Sequence, residues 1–109
     1  AAGMGTWGAD GKTVRFDAPA CRILGLDPSH GEVPREQALA LILPEDLGRI
    51  PDRSRPGPVE EPFTSVVRVR PSGGEERPVL ISGVLNRNPK GLATLAEGLI
   101  LDLGGRLSA

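Results

Sequence analysis

Apolar and polar positions alternate most regularly between residues 63 and 70. Phe63, Ser65, Val67 and Val69 fall on one side of an extended chain, and Thr64, Val66, Arg68 and Arg70 on the other. A period of two predicts a strand with one side turned to a core. Two more strand-length apolar runs, 79–87 and 92–103, are set off by Ser72-Gly73-Gly74 and Asn88-Pro89-Lys90-Gly91, so the three segments predict an antiparallel meander. In the later pair Leu80, Val84, Ala96 and Ile100 alternate against a second set, Val79, Ile81, Leu85, Leu99 and Leu101. With both sets apolar, both faces of the sheet are expected to be covered.

The first half of the chain reads as shorter pieces. Segments 6–10 and 13–17 flank Asp10-Gly11, a dipeptide suited to a tight hairpin turn, and predict two short strands. Asp17 can cap a helix of about two turns, Pro19 is tolerated in its first turn, and Gly25 suits the left-handed position beyond Leu24. Asp27-Pro28-Ser29-His30-Gly31 is loop chemistry, and Pro34 stands where a helix carrying Leu39, Ile42 and Leu43 on one face would begin. Pro44 interrupts that helix and opens a short one through Glu45, Asp46, Leu47 and Ile50, which Pro51 ends. Segment 52–62 is rich in proline and charge and predicts an exposed connection within one fold.

Composition narrows the functions this arrangement can serve. A chain of 109 residues holds one core. Thirteen basic residues against fourteen acidic ones leave no field that favours nucleic acid, and Trp7, Phe16 and Phe63 are too few for a base-stacking platform. The longest apolar stretch, 38–43, is far short of the roughly 20 residues that cross a bilayer. A lone Cys21 excludes an internal disulfide and fits a reducing compartment, so a cytoplasmic location is expected. Residues 1–5 are expected to be a flexible start, and the scarcity of lysine, Lys12 and Lys90 alone, leans toward a GC-rich bacterial source.

Several short strings carry a resemblance. Gly5-Thr6-Trp7-Gly8-Ala9-Asp10 is similar to the opening strand of PAS domains of the bacterial sensory-box type, and Cys21-Arg22-Ile23-Leu24-Gly25-Leu26-Asp27-Pro28 to their first helix and its exit. Pro44-Glu45-Asp46 resembles the family's His-Pro-Glu-Asp element, with Leu43 in the histidine's place, and Arg68-Val69-Arg70-Pro71-Ser72-Gly73-Gly74 its arginine-rich strand and glycine turn. Asp102-Leu103-Gly104-Gly105-Arg106 resembles the Asp-Ile-Thr-Glu-Arg signature that leads to an output module, with two glycines loosening that exit. The resemblance implies an α+β fold: a five-stranded antiparallel sheet with short helices packed on one face, spanning 6–103, and an exit at 104–109 toward an effector such as a kinase or cyclase. It further implies a sensory module whose pocket lies between sheet and helices.

Candidate residues follow from the two readings together. Ile23, Leu39, Ile42, Val67 and Leu99 are the expected pocket lining, suited to a small apolar ligand. Leu80, Val84, Ala96 and Ile100 are the expected face of a homodimer, and Asp102 with Arg106, four apart, the expected signal exit. Cys21 in Ala20-Cys21-Arg22-Ile23-Leu24 is only superficially like the thiol helix of flavin photoreceptors and is expected to be a packed core cysteine. His30 between Ser29 and Gly31 is expected on an exposed loop rather than on haem iron. One Cys and one His give no transition-metal site, and no catalytic constellation or cofactor site is expected. Gly73-Gly74-Glu75-Glu76 echoes the signature loop of diguanylate cyclases but reads as a hairpin turn, and Arg68 and Arg70 as a solvated strand face.

Overall fold

The computed structural model of the chain describes residues 3–71 and 74–104. The chain opens with a hairpin, β1 (Met4–Ala9) and β2 (Thr13–Phe16). Its turn is closed by the Asp10 carboxylate, which accepts from the backbone N–H groups of Lys12 and Thr13 at 2.9 Å each, while Gly11 takes a φ of 96° that favours glycine. Helix α1 (Ala18–Leu24) starts where Asp17 accepts from the Ala20 N–H and stops at Gly25, φ 71°. A 3-10 turn (Pro28–His30), a short strand β3 (Glu32–Pro34), helix α2 (Arg35–Leu39) and a 3-10 helix (Pro44–Arg49) follow. Three long strands complete the chain: β4 (Glu60–Val69), β5 (Arg77–Arg87) and β6 (Ala93–Asp102).

The sheet has six strands, not five, in the order β3-β2-β1-β6-β5-β4, with every neighbouring pair antiparallel. The added strand is β3, a segment of only three residues in which Val33 is buried between exposed Glu32 and Pro34. Pairing with β2 on one side only leaves a ladder edge open, which is where a residue lacking an N–H can sit.

Helices cover one face. Ala20, Ile23 and Leu24 of α1, together with Ile42, meet Val67, Val69, Val79 and Ile100 from the sheet in a single aliphatic core. In β4 the alternation divides the faces as read from the sequence, with Val67 and Val69 buried and Val66, Arg68 and Arg70 exposed. In β5 and β6 the phase differs from the expected one. The register pairs Ile81 with Ile100 and Leu85 with Ala96 toward the helices, and Leu80 with Leu101 and Val84 with Glu97 away from them. Even-numbered residues of one strand therefore face the same way as odd-numbered residues of the other. The set Leu80, Val84, Ala96 and Ile100 does not share a face: the first two point outward, and Ala96 and Ile100 are buried on the inner side. The outer face is also bare rather than covered, with Met4 48%, Val66 43% and Leu99 43% exposed.

Close strand approach is permitted at one place by a cross-strand glycine pair, Gly83 and Gly98, over which the Trp7 ring lies. A Cβ on Gly98 would overlap the Ser82 carbonyl oxygen and the Gly83 Cα, and one on Gly83 would sit 2.7 Å from the Trp7 ring.

Candidate functional site

A cavity of about 130 Å³ lies between the inner sheet face and the helices. Trp7, Phe63, Ile81 and Ile100 contribute its sheet side, and Leu39 and Ile42 belong to the wall opposite. The indole is fixed by its Nε1–H, which donates to the Leu99 carbonyl oxygen at 3.1 Å, and by the Phe63 ring, tilted 47° at a centroid distance of 6.0 Å. An aromatic pair so placed is stiff as well as apolar. Phe16 lines the cavity too, so all three aromatic residues of the chain converge on it. Their scarcity in the sequence concealed this; their spacing at 7, 16 and 63 gives no sign of convergence.

Of the five residues expected to line a pocket, Leu39 and Ile42 do so. Ile23 and Val67 are buried in the adjoining core, and Ile23 also borders a second cavity, of about 210 Å³, with Arg77 and Asp102. Leu99 is misplaced by the phase of β6: its side chain stands on the outer face, 43% exposed, and only its carbonyl reaches the site.

Two charged side chains line the cavity, Arg35 at the start of α2 and Arg53 in the connection after the 3-10 helix. Arg53 donates through Nη2 to the Thr94 carbonyl oxygen at 3.0 Å and lies over Gly11 of the hairpin turn. Burial, and then the nearby Arg35 charge, lower its pKa from the ordinary guanidinium value.

The motifs that carried the resemblance form contacts that the sequence kept apart. Asp46, 5% exposed, accepts from the Arg68 backbone N–H at 2.8 Å and from its guanidinium Nε at 2.9 Å and Nη2 at 3.1 Å. The Arg68 side chain and backbone hold the Asp46 carboxyl at about 2, well below its ordinary 3.8. Arg68 is thus not simply a solvated side chain but the clasp between the 3-10 helix and β4. Its neighbour on the same face, Arg70, pairs with Glu76 at 3.2 Å.

At the exit, Asp102 pairs with Arg77 of β5 at 2.8 Å and accepts from the Gly104 N–H. Arg106, its expected partner, lies outside the described residues, as do Ser72, Gly73 and Gly105. Cys21 is fully buried, its Sγ 3.7 Å from the Phe16 carbonyl oxygen, and burial raises its pKa. The thiol is not part of the cavity wall. His30 is exposed in the 3-10 turn beside Asp27, 3.3 Å away. No cluster of His, Cys, Asp and Glu suited to a metal ion is present among the described residues, and no helix among them is long and apolar enough to cross a membrane.

An antiparallel sheet carrying short helices on one face, with an apolar cavity between, is an α+β architecture. Its known counterparts narrow this to the PAS fold. The chain superimposes on the sensory box histidine kinase/response regulator from Burkholderia thailandensis E264 with a TM-score of 0.73 at 19% identity, over 98% of this chain and 82% of that one. It matches the N-terminal domain of a diguanylate cyclase with PAS/PAC sensor from Marinobacter aquaeolei at 0.71 and 12% identity, over 95% and 98% of the two chains. An RNA-binding light-oxygen-voltage receptor matches at 0.64 and 19% identity, over 96% of this chain and 30% of that one. No family model matches the sequence, and no curated protein does. The likeness is in the fold: the chain has the PAS fold.

Proposed function

We propose that this chain is a sensory input module that takes a small, mainly apolar ligand between its sheet and helices and passes occupancy to a covalently linked effector in a bacterial, cytoplasmic signalling protein. The observation that carries the reading is the cavity itself, about 130 Å³ and walled by aromatic and aliphatic side chains. Cavities of roughly this size and character accommodate benzene-sized molecules. Ile81, Leu85, Ala96 and Ile100, which line it, belong to the same strands that Arg77 and Asp102 tie together at the exit, so a filled cavity bears on the end of β6. The chain acts by binding, not turnover; support comes from the apolar character of the cavity wall.

The test is titration of the labelled domain with toluene, followed by nuclear magnetic resonance. Shifts centred on the Trp7 indole N–H, Leu39 and Ile42 are expected; shifts confined to the outer face, or none at saturation, refute the reading. Native mass spectrometry of the purified chain reports any co-purified ligand.

A second reading, a dimerisation module, is favoured by one observation. Met4, Val66 and Leu99, exposed on the outer face, adjoin Leu80 and Leu101, so the apolar surface is contiguous across β1, β6, β5 and β4. Sedimentation over a wide concentration range decides it, since a strict monomer at every concentration eliminates a homodimer.

A further inference from the structure

Arg35 and Arg53 pose a problem that the apolar reading of the cavity leaves unsolved. Both line it and both keep some exposure, yet neither lies within 4 Å of a carboxylate among the described residues. The acids that act on them at longer range, Asp52 on Arg35 and Asp10 on Arg53, spend their hydrogen-bonding oxygens elsewhere. Asp10 is taken up by its own turn, accepting from Lys12 and Thr13, and Asp52 by the N–H and hydroxyl of Ser54 at 2.9 and 2.6 Å. Arg53 is held against the Thr94 carbonyl, which fixes its guanidinium but does not neutralise it. The Arg35 guanidinium makes no hydrogen bond or ion pair among the described residues. Two like charges close enough to oppose one another, one of them partly removed from water, are offset only in part by Asp10 and Asp52, so an anion placed between them is favourable.

We propose that the cavity binds a small amphiphilic carboxylate, its apolar body of about six carbons packed against Trp7 and Phe63 and its carboxylate held between Arg35 and Arg53. This rests on the reading of the cavity as a ligand site and adds the headgroup. Guanidinium groups suit that headgroup because each offers paired N–H donors matching the two carboxylate oxygens. The cavity volume limits the tail, since an apolar space of roughly 150 Å³ takes one benzene-sized molecule.

Hexanoate and 1-hexanol share a tail and differ in charge, so calorimetric titration of the purified chain with each at pH 7 separates the two ideas. Hexanoate is expected to bind about tenfold or more tighter than hexanol, as charge-assisted hydrogen bonds in a partly desolvated site imply. The Arg53→Gln and Arg35→Gln variants should each remove most of that preference by weakening hexanoate far more than hexanol, and raised salt should act like the variants. Hexanol binding doubles as the check that a variant is folded. Should Arg53→Gln lose hexanol as well, because the bond to Thr94 is gone, Arg35→Gln carries the test alone. Equal affinity for the two probes, or a preference that survives in Arg35→Gln, overturns the carboxylate and leaves the apolar cavity standing. No binding of either probe overturns both.

Discussion

Asp46 is the residue whose chemistry most directly ties stability to solution conditions. Its carboxyl is held at about 2 against an ordinary 3.8, chiefly by the Arg68 guanidinium and backbone N–H. A group whose folded pKa is depressed stabilises the fold above its unfolded value and loses that contribution as pH falls to the folded one. Stability should therefore decline from about pH 4 toward pH 2 by this route, and Asp46→Asn should flatten the decline in that window while lowering the thermal midpoint at pH 7 by several degrees. Thermal melts of both proteins over that range check it. Gly98 is the steric counterpart: Gly98→Ala pushes a methyl group into Ser82 and Gly83 beneath the Trp7 ring and should cost about 1–3 kcal/mol in urea unfolding, with altered indole fluorescence in the native state. At this scale the sequence was legible where a residue acts on its near neighbours. Asp10, Asp17 and Gly25 do what their positions imply because a turn or a cap involves only three or four residues. Asp46 and Arg68 are 22 positions apart, and nothing local distinguishes an arginine that clasps a buried acid from one that is merely solvated.

Among the elements, α1 and the connection before β4 make opposite cases. Helix α1 depends on its ends, so Asp17→Ala, which removes the bond to the Ala20 N–H, should cost about 1 kcal/mol by chemical denaturation. The connection 50–59 has no regular structure and is fastened instead by Arg87, 4% exposed, which donates to the Pro58 carbonyl oxygen at 3.1 Å and pairs with Glu61 at 2.8 Å. Its guanidinium fills the space where Gly57 lacks a side chain, and its Nε finds no partner, so the fastening is incomplete as well as buried. Arg87→Leu should loosen the strap, and amide exchange at residue 87, whose N–H bonds the Val59 carbonyl oxygen, should speed by at least roughly tenfold. The alternation that identified β4 is strong because one of its faces is polar; in β5 and β6 both phases are apolar, and only the pairing register decides between them. Strand β3 escaped for another reason. Three residues ending in proline hold too little pattern to be told from a loop.

For the whole molecule, the order of elements and their resemblance were enough to anticipate the fold, whereas the cavity was only half anticipated. Its position between sheet and helices follows from the architecture; its aromatic lining and its two arginines come from residues scattered from 7 to 63 and meet only in three dimensions. The exposed outer face belongs to this scale as well. If it mediates self-association, Leu99→Lys should shift sedimentation to the monomer without changing the thermal midpoint by more than a few degrees, because the side chain has no core contact to lose.

The adjacency of β1 and β6 has a mechanical consequence. Met4 opposes Leu101 at one end of an antiparallel pair, so the first and last strands lie side by side in the middle of the sheet, with the start of β1 next to the end of β6. Tension applied between these two ends would open the pair like a zipper, breaking one rung at a time instead of shearing the ladder at once. The bond from the Asp102 N–H to the Gly3 carbonyl oxygen, 2.7 Å, lies among the first to part, whereas the Arg77–Asp102 bridge ties β6 to β5 and would hold that side of the sheet closed as the tear runs toward Trp7 and the cavity.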